Sequence, residues 1–183
     1  MKKEAIRGMI FQSIEAHRSV DGLVDQIDEA ANLMIQSINQ GNKIISCGNG
    51  GSAAQAQHFS AELVGRFEKE RKSLPSISLT TDTSNLTAIG NDYGYDQIFK
   101  RQLASLGTKG DVLICLSSSG NSPNLTEAIN EAKTNGVKVI NLLGKDGGRM
   151  KGSGDLDIII NSENTARIQE CHILILHILA KLV

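Results

Sequence analysis

Lys43-Ile44-Ile45-Ser46-Cys47-Gly48-Asn49-Gly50-Gly51-Ser52 reads as a short apolar strand that runs directly into a glycine-rich turn. The residues that follow, 52–66, are predicted to form a helix. A second stretch repeats this grammar: the apolar run Val112–Leu116 leads into Ser117-Ser118-Ser119-Gly120-Asn121-Ser122, with a helix predicted over 122–135. Strand, Gly/Ser loop, helix is the setting in which backbone N–H groups and a helix N-terminus bind an anion. Two such loops, each at the carboxyl end of a strand, point to a phosphorylated ligand held at a sheet crevice.

Outward from these loops the pattern alternates. Strands are expected at 43–47, 76–80, 111–116, 137–143 and 156–160, and helices at 52–66, 94–106, 122–135 and 164–182. Gly107-Thr108-Lys109-Gly110 and Asn135-Gly136 supply the stop-and-turn signals between helix and strand. The two prolines, Pro75 and Pro123, fall at a strand entrance and near a helix start, where a missing N–H does no harm. Strands alternating with helices predict an α/β fold, a doubly wound five-stranded parallel sheet flanked by helices. If the strands are ordered 2-1-3-4-5, both Gly/Ser loops converge on the crevice where the chain reverses direction. Residues 1–41 are helical by their apolar stripe, which includes Leu23, Ile27, Ala31, Met34 and Ile38. No sheet face is obviously reserved for them, so they are expected to cover an edge or meet another subunit. With 42–183 as the α/β sandwich, the chain is expected to be one domain over 1–183.

Bulk properties narrow the function. A chain of 183 residues can bury a proper core, and its formal net charge of -1 carries no electrostatic footprint for nucleic acid or an anionic membrane. Aromatic residues make up 3% with no Trp, which disfavours stacking platforms for single-stranded nucleic acid. No apolar run suits a membrane span, and the start Met1-Lys2-Lys3-Glu4 lacks the apolar core of a secretory signal. Cys47, Cys115 and Cys171 are read as small buried hydrophobes in a reducing cytoplasm.

Several polar residues are candidates for chemistry. Gly48-x-Gly50-x-x-Ala53 matches a dinucleotide fingerprint formally, with Asp82 as the ribose-binding acid, but no room remains for a substrate domain and no nucleotide cofactor is expected. Without a ligand, Gly50 and Gly51 make a tight turn and the Ser-rich loop caps a helix. His58 and Glu62, spaced i, i+4, share one helix face as a general base, a metal site or a plain surface hydrogen bond. Gln169 and His177 lie two turns apart on an apolar helix and can reach one pocket, whereas His172 is read as a satisfied structural or interface histidine. Asn91-Asp92, after Gly90, and Lys145-Asp146-Gly147-Gly148 are read as turns.

Taken together, Ser46–Ser52, His58-Phe59-x-x-Glu62-Leu63, Gly90-Asn91-Asp92, Ser117-x-Ser119-Gly120-Asn121-Ser122, Gly144–Gly148 and Arg167-Ile168-Gln169-Glu170-x-His172 resemble the phosphoheptose isomerases of the sugar-isomerase (SIS) domain family. The resemblance spans nearly the whole chain. It implies a cytoplasmic homotetramer with active sites built between subunits. The implied reaction isomerises sedoheptulose 7-phosphate to D-glycero-D-manno-heptose 7-phosphate for bacterial lipopolysaccharide or capsule heptose. By motif, Ser117, Ser118, Ser119 and Ser122 hold the phosphate. Asn49, Gly50, Gly51, Ser52, Asn91, Asp92, Glu62 and Gln169 contact the rest of the substrate. His58, Glu62, Gln169 and His177 match the family's positions for one zinc ion (Zn2+) per subunit, and Glu62 and His177 its catalytic pair. Gln55 and Ala166 depart from the pattern, standing where other members carry Asp. The alternative within the fold is a non-catalytic SIS protein that binds a replication initiator, and retention of Glu62 and His177 argues against it.

Overall fold

The apolar runs that precede the two loops become the central strands of a sheet, each buried along its whole length. The computed structural model describes all residues from Met1 to Val183. Helices α1 (Lys2–Ser19) and α2 (Val24–Asn39), joined by a 3-10 turn over Val20–Leu23, come first. They lead into β1 (Ile44–Gly48), α3 (Gly51–Val64), β2 (Ser76–Ser78), α4 (Thr83–Tyr93), α5 (Ile98–Leu106) and β3 (Val112–Ser117). Helix α6 (Pro123–Asn135), β4 (Lys138–Gly144), β5 (Leu156–Ile160) and α7 (Thr165–Leu182) complete the chain. All neighbouring strands are parallel, in the order β2-β1-β3-β4-β5 that brings both Gly/Ser loops to the reversal point.

Strand alternation sorts the core into two layers. Ile44, Val112, Ile114, Leu116, Ile140, Leu142, Ile158 and Ile160 pack with α2, α3 and α7. Ile45, Cys47, Leu113, Cys115, Val139 and Leu143 pack with α5 and α6 on the other side. Because both faces are covered, the strands read as continuous apolar runs rather than alternating ones. All three cysteines are buried and free, and Cys47 faces Cys115 across β1 and β3 with Sγ atoms 3.7 Å apart.

The structure revises several expectations. Helix α2 lies on the sheet face, burying Ile27, Ala30, Ala31 and Met34 in the same cluster as β1 and β3, so only α1 is left outside the sheet layers. Helix α1 buries none of its own residues and touches α7 through Ser13, whose hydroxyl donates to Glu170 at 2.7 Å. An unexpected helix, α4, follows β2, and Asn91 and Asp92 form its last turn rather than a loop. Its sequence hid it: only Leu86 and Ile89 reach the core, Gly90 sits inside it, and Thr83-Ser84-Asn85 has poor helix propensity. Its start is fixed by Asp82, whose carboxylate accepts from the Asn85 N–H at 3.0 Å, an N-cap rather than a ribose contact. The helix expected over 94–106 opens with a 3-10 turn at Tyr95–Gln97, and α3 stops at Val64 instead of residue 66.

Behind the crevice, His172 is fully buried, with Nε2 3.1 Å from the Leu143 carbonyl oxygen and no partner at Nδ1. It is therefore only half satisfied. Burial disfavours its charged form and lowers its pKa to about 4, against a partial upward pull from the Leu143 carbonyl. Between about pH 6.5 and that value the unfolded chain binds a proton that the folded chain refuses, so stability falls as pH drops through this window. The accumulated loss by the lower end is about 3 kcal/mol. His172→Gln removes the titration, so urea unfolding at pH 7 and pH 4.5 will show a smaller pH-dependent loss for the variant than for the parent. Equal losses in the two proteins would refute the assignment.

Candidate active site

The two loops leave adjacent strands and are tied to each other at once. Registered pairing of β1 with β3 ends at Gly48 and Leu116. Immediately beyond, Asn49 Nδ2 donates to Asn124 Oδ1 at 2.9 Å while Asn124 Nδ2 donates to Asn49 Oδ1 at 2.8 Å. The Tyr95 hydroxyl donates to the same Asn49 oxygen at 3.0 Å. Ser52 is buried in the first turn of α3, and its N–H donates to the Asn49 carbonyl at 3.0 Å.

The Ser117–Ser122 loop forms a cradle of backbone N–H groups. Ser117 Oγ accepts from the Gly120 N–H at 3.0 Å and Ser119 Oγ from the Asn121 N–H at 3.2 Å, which curls the backbone. The N–H groups of Ser118, Ser119 and Ser122 make no hydrogen bond within the chain and remain available to a ligand, beside the N-terminus of α6. The segment after β4 presses against this loop. The Met150 N–H donates to the Gly120 carbonyl at 2.9 Å, and the Arg149 N–H to Asn121 Oδ1 at 3.1 Å. Gly120 has φ +63, and a Cβ there would stand 2.0 Å from the Gly147 oxygen, so no side chain fits. Lys145-Asp146-Gly147-Gly148, read from sequence as a turn, is thus the buttress of the cradle.

Helices α3 and α7 lie side by side and carry the titratable residues. His58 Nε2 is 2.9 Å from His177 Nε2 and 3.2 Å from Glu62 Oε1. Three ligand atoms, one each from His58, Glu62 and His177, lie within 4.8 Å of one another. Two imidazole nitrogens and a carboxylate oxygen converge there with few protons to share. A donor set of this kind suits a divalent cation better than a hydrogen-bonded cluster. The His58 side chain is 45% exposed, so the cluster is reachable from solvent. Phe67 stacks on His177 with ring centroids 5.4 Å apart, and Arg71 donates to the carbonyls of Glu62 at 2.9 Å and Ala180 at 2.7 Å. The residues after α3 therefore strap the two helices together at the level of the cluster.

Gln169 is not among these three. Its carboxamide rests on Gly51, where a Cβ would stand 2.7 Å from Nε2 and would displace the carboxamide from this position. Gln55 Nε2 donates to the Gln169 carbonyl at 2.7 Å and fixes the backbone beneath it; Gln55 Oε1 is left buried without a partner. Asn91 and Asp92 are exposed, with Asn91 Nδ2 donating to Asp92 Oδ1 at 2.7 Å, and neither bonds to the two loops in one chain. Asn124, Tyr95, Phe67 and Arg71 were not legible as site residues. Asn124 looks like an ordinary polar residue after a helix-starting proline, and nothing in the spacing pairs it with Asn49.

Residues 13–144 match the family model of the SIS domain, which places the chain in that family. The phosphoheptose isomerase of Aliarcobacter butzleri is 46% identical over 183 residues, covering 100% of this chain and 97% of the relative. A solved phosphoheptose isomerase from Francisella tularensis superposes with a TM-score of 0.96 at 38% identity, over 100% of this chain and 97% of that one. The Neisseria gonorrhoeae phosphoheptose isomerase gives 0.93 at 43% identity, over 99% and 97%. Within the SIS family the chain belongs to the phosphoheptose isomerases. The initiator-binding alternative gains no support from these relatives.

The donor geometry predicts stoichiometric binding of a divalent transition metal. Isothermal titration of chelator-stripped protein is expected to give one saturable site that His177→Ala abolishes, with a rise in melting temperature for the parent only. Undiminished binding by His177→Ala would place the metal elsewhere.

Proposed function

We propose that this chain isomerises sedoheptulose 7-phosphate to D-glycero-D-manno-heptose 7-phosphate for bacterial heptose biosynthesis, in the cytoplasm. The observation that carries this reading is the convergence of Glu62, His58 and His177 on two helices, of which α3 leaves the first glycine-rich loop and α7 brings Ile168 to the Gly144 position that also meets the Ser118 carbonyl. Ser117, Ser118, Ser119 and Ser122 hold the phosphate, and the unpaired N–H groups of that loop support the assignment. The phosphate lies at the end of the sugar remote from the reacting carbons, so its binding energy serves orientation. Asn49, Gly50, Gly51, Ser52 and Gln169 line the path of the sugar, and Asn91 and Asp92 complete it.

Ketose-to-aldose conversion removes a proton from C1, returns it at C2 and shifts a proton between the two oxygens through an enediolate. Glu62 is the carboxylate placed to carry the carbon-bound proton. His177 serves the oxygens, its ring held by the Phe67 stack and its helix tied to α3 by Arg71. His58, in contact with both, orients them. Zinc is the ion we assign to His58, Glu62 and His177, with Gln169 as the fourth family position. When bound it supplies Lewis acidity toward a carbonyl or enediolate oxygen.

We also assign a homotetramer. Helix α1 exposes Ile6, Met9, Ile10, Phe11 and Ile14. A groove of about 380 Å³ between the α1–α2 junction and α7 is lined mainly by apolar residues, among them Val20, Ile27, Leu174 and Ile178, with His17, Asp21 and Asp28 also on its wall. Surface of this kind suits burial against other copies. Sedimentation at micromolar concentration is expected to give four times the chain mass, and a monomer there would overturn the assignment.

Glu62→Gln keeps the shape of the side chain but not its basicity, so turnover is expected to fall by about 10²–10⁴-fold while substrate binding persists. The check is single-turnover kinetics together with calorimetric binding on the same variant. Turnover near the parent level would remove Glu62 from the proton path.

A further inference from the structure

Asn124 is 1% exposed, and its carboxamide hydrogen-bonds to only one other side chain, that of Asn49. Burying a carboxamide is unfavourable unless both of its ends are paired, and here one residue pairs both. Donor and acceptor capacity then fixes what Asn49 can still do. Its Oδ1 accepts from Asn124 Nδ2 at 2.8 Å and from the Tyr95 hydroxyl at 3.0 Å, which uses both lone pairs. Its Nδ2 gives one hydrogen to Asn124 Oδ1 at 2.9 Å and keeps the other. A cavity of about 120 Å³, lined by Asn49, Gly50, Thr80, Leu86 and Tyr95 among others, opens beside it. The pairing also lies just past the last registered pair of β1 and β3, where no backbone ladder joins the two loops.

We propose that Asn124 is a positioning residue for the sugar site: its reciprocal amide pair with Asn49 clasps the first glycine-rich loop to the start of α6 and leaves Asn49 one N–H to donate to a sugar oxygen. Tyr95 locks the same orientation from the other side. This rests on the reading of Asn49 as a substrate contact. Because Asn124 acts through Asn49, its loss weakens sugar recognition and leaves the phosphate cradle in place.

The test is steady-state kinetics with sedoheptulose 7-phosphate, with inorganic phosphate as competitive inhibitor, on Asn49→Ala, Asn124→Ala, the double variant and Asn124→Asp, with thermal melts alongside. Asn124→Ala is expected to raise KM about tenfold while kcat and the phosphate inhibition constant stay within about threefold. The double variant is expected to match Asn49→Ala, since removing the positioner of an absent side chain costs nothing further. Asn124→Asp keeps the shape but sets a carboxylate against Asn49 Oδ1, so it is expected to behave like Asn124→Ala. Tyr95→Phe, at an exposed residue where folding is not at risk, is expected to raise KM by a smaller factor, about two- to fivefold.

Parent-like KM in both Asn124 variants and in Tyr95→Phe overturns the clasp, as do effects that multiply in the double variant. A phosphate inhibition constant that rises in step with KM also overturns it, since the residue would then be shaping the cradle itself. If Asn49→Ala leaves KM unchanged while the enzyme remains active, the reading of Asn49 fails and the clasp with it. An Asn49 effect without an Asn124 effect defeats the clasp alone.

Discussion

The site depends on β1 and β3 lying side by side. Parallel pairing of these two strands sends the chain away in opposite directions and opens the crevice between their following loops. Side chains hold both ends of the pairing. At the entrance, Asp111 is completely buried and accepts from the Lys43 N–H at 2.9 Å, Lys43 Nζ at 2.6 Å, the Thr108 N–H at 2.8 Å and the Thr108 hydroxyl at 3.0 Å. Burial alone would raise the pKa of this carboxyl, but the bonds from Lys43 and Thr108 outweigh it and hold the value below the ordinary carboxylate range. Asn49 and Asn124 hold the exit. The strands between set the spacing at which the two loops face each other.

The second constraint is close packing between loops. The Ser117–Ser122 turn is shaped by the segment after β4, which comes so near that Gly120 and Gly144 leave no space for a Cβ. A Cβ on Gly144 would stand 2.4 Å from the Ser118 oxygen. The cradle is therefore preorganised from outside as well as by its own serines. Such rigidity limits the loop entropy that any ligand of these N–H groups would have to remove. On the other side of the crevice, α3 and α7 do the same for the titratable cluster through Phe67 and Arg71.

Much of this was legible in the sequence. Apolar runs ending in Gly/Ser turns marked the strands, and their alternation with helices implied the sheet and its crevice. Local signals failed where tertiary context decided. Helix α4 carries too few apolar residues to show a stripe, so Asn91 and Asp92 read as a turn. Helix α2 showed its stripe clearly, but no pattern said that the sheet had space for it. The i, i+4 spacing of His58 and Glu62 announced a shared face, while His177 joined them only because α3 and α7 pack alongside each other. The pairing of Asn49 with Asn124 was beyond reach, since an isolated asparagine looks the same whether it caps, turns or clasps.

The burial of all three thiols makes the chain its own reporter of breathing. Cys47 and Cys115 sit opposite each other on β1 and β3, and Cys171 lies in α7, all without exposed surface. A thiol-alkylating reagent can reach the first two only when the central sheet opens, and the third only when α7 lifts. The contact with Cys115, together with burial, also pushes the Cys47 thiol well above its usual pKa, which slows its attack further. Mapping which cysteine is labelled first, and how fast, therefore separates local opening of α7 from opening of the sheet in the unmodified protein.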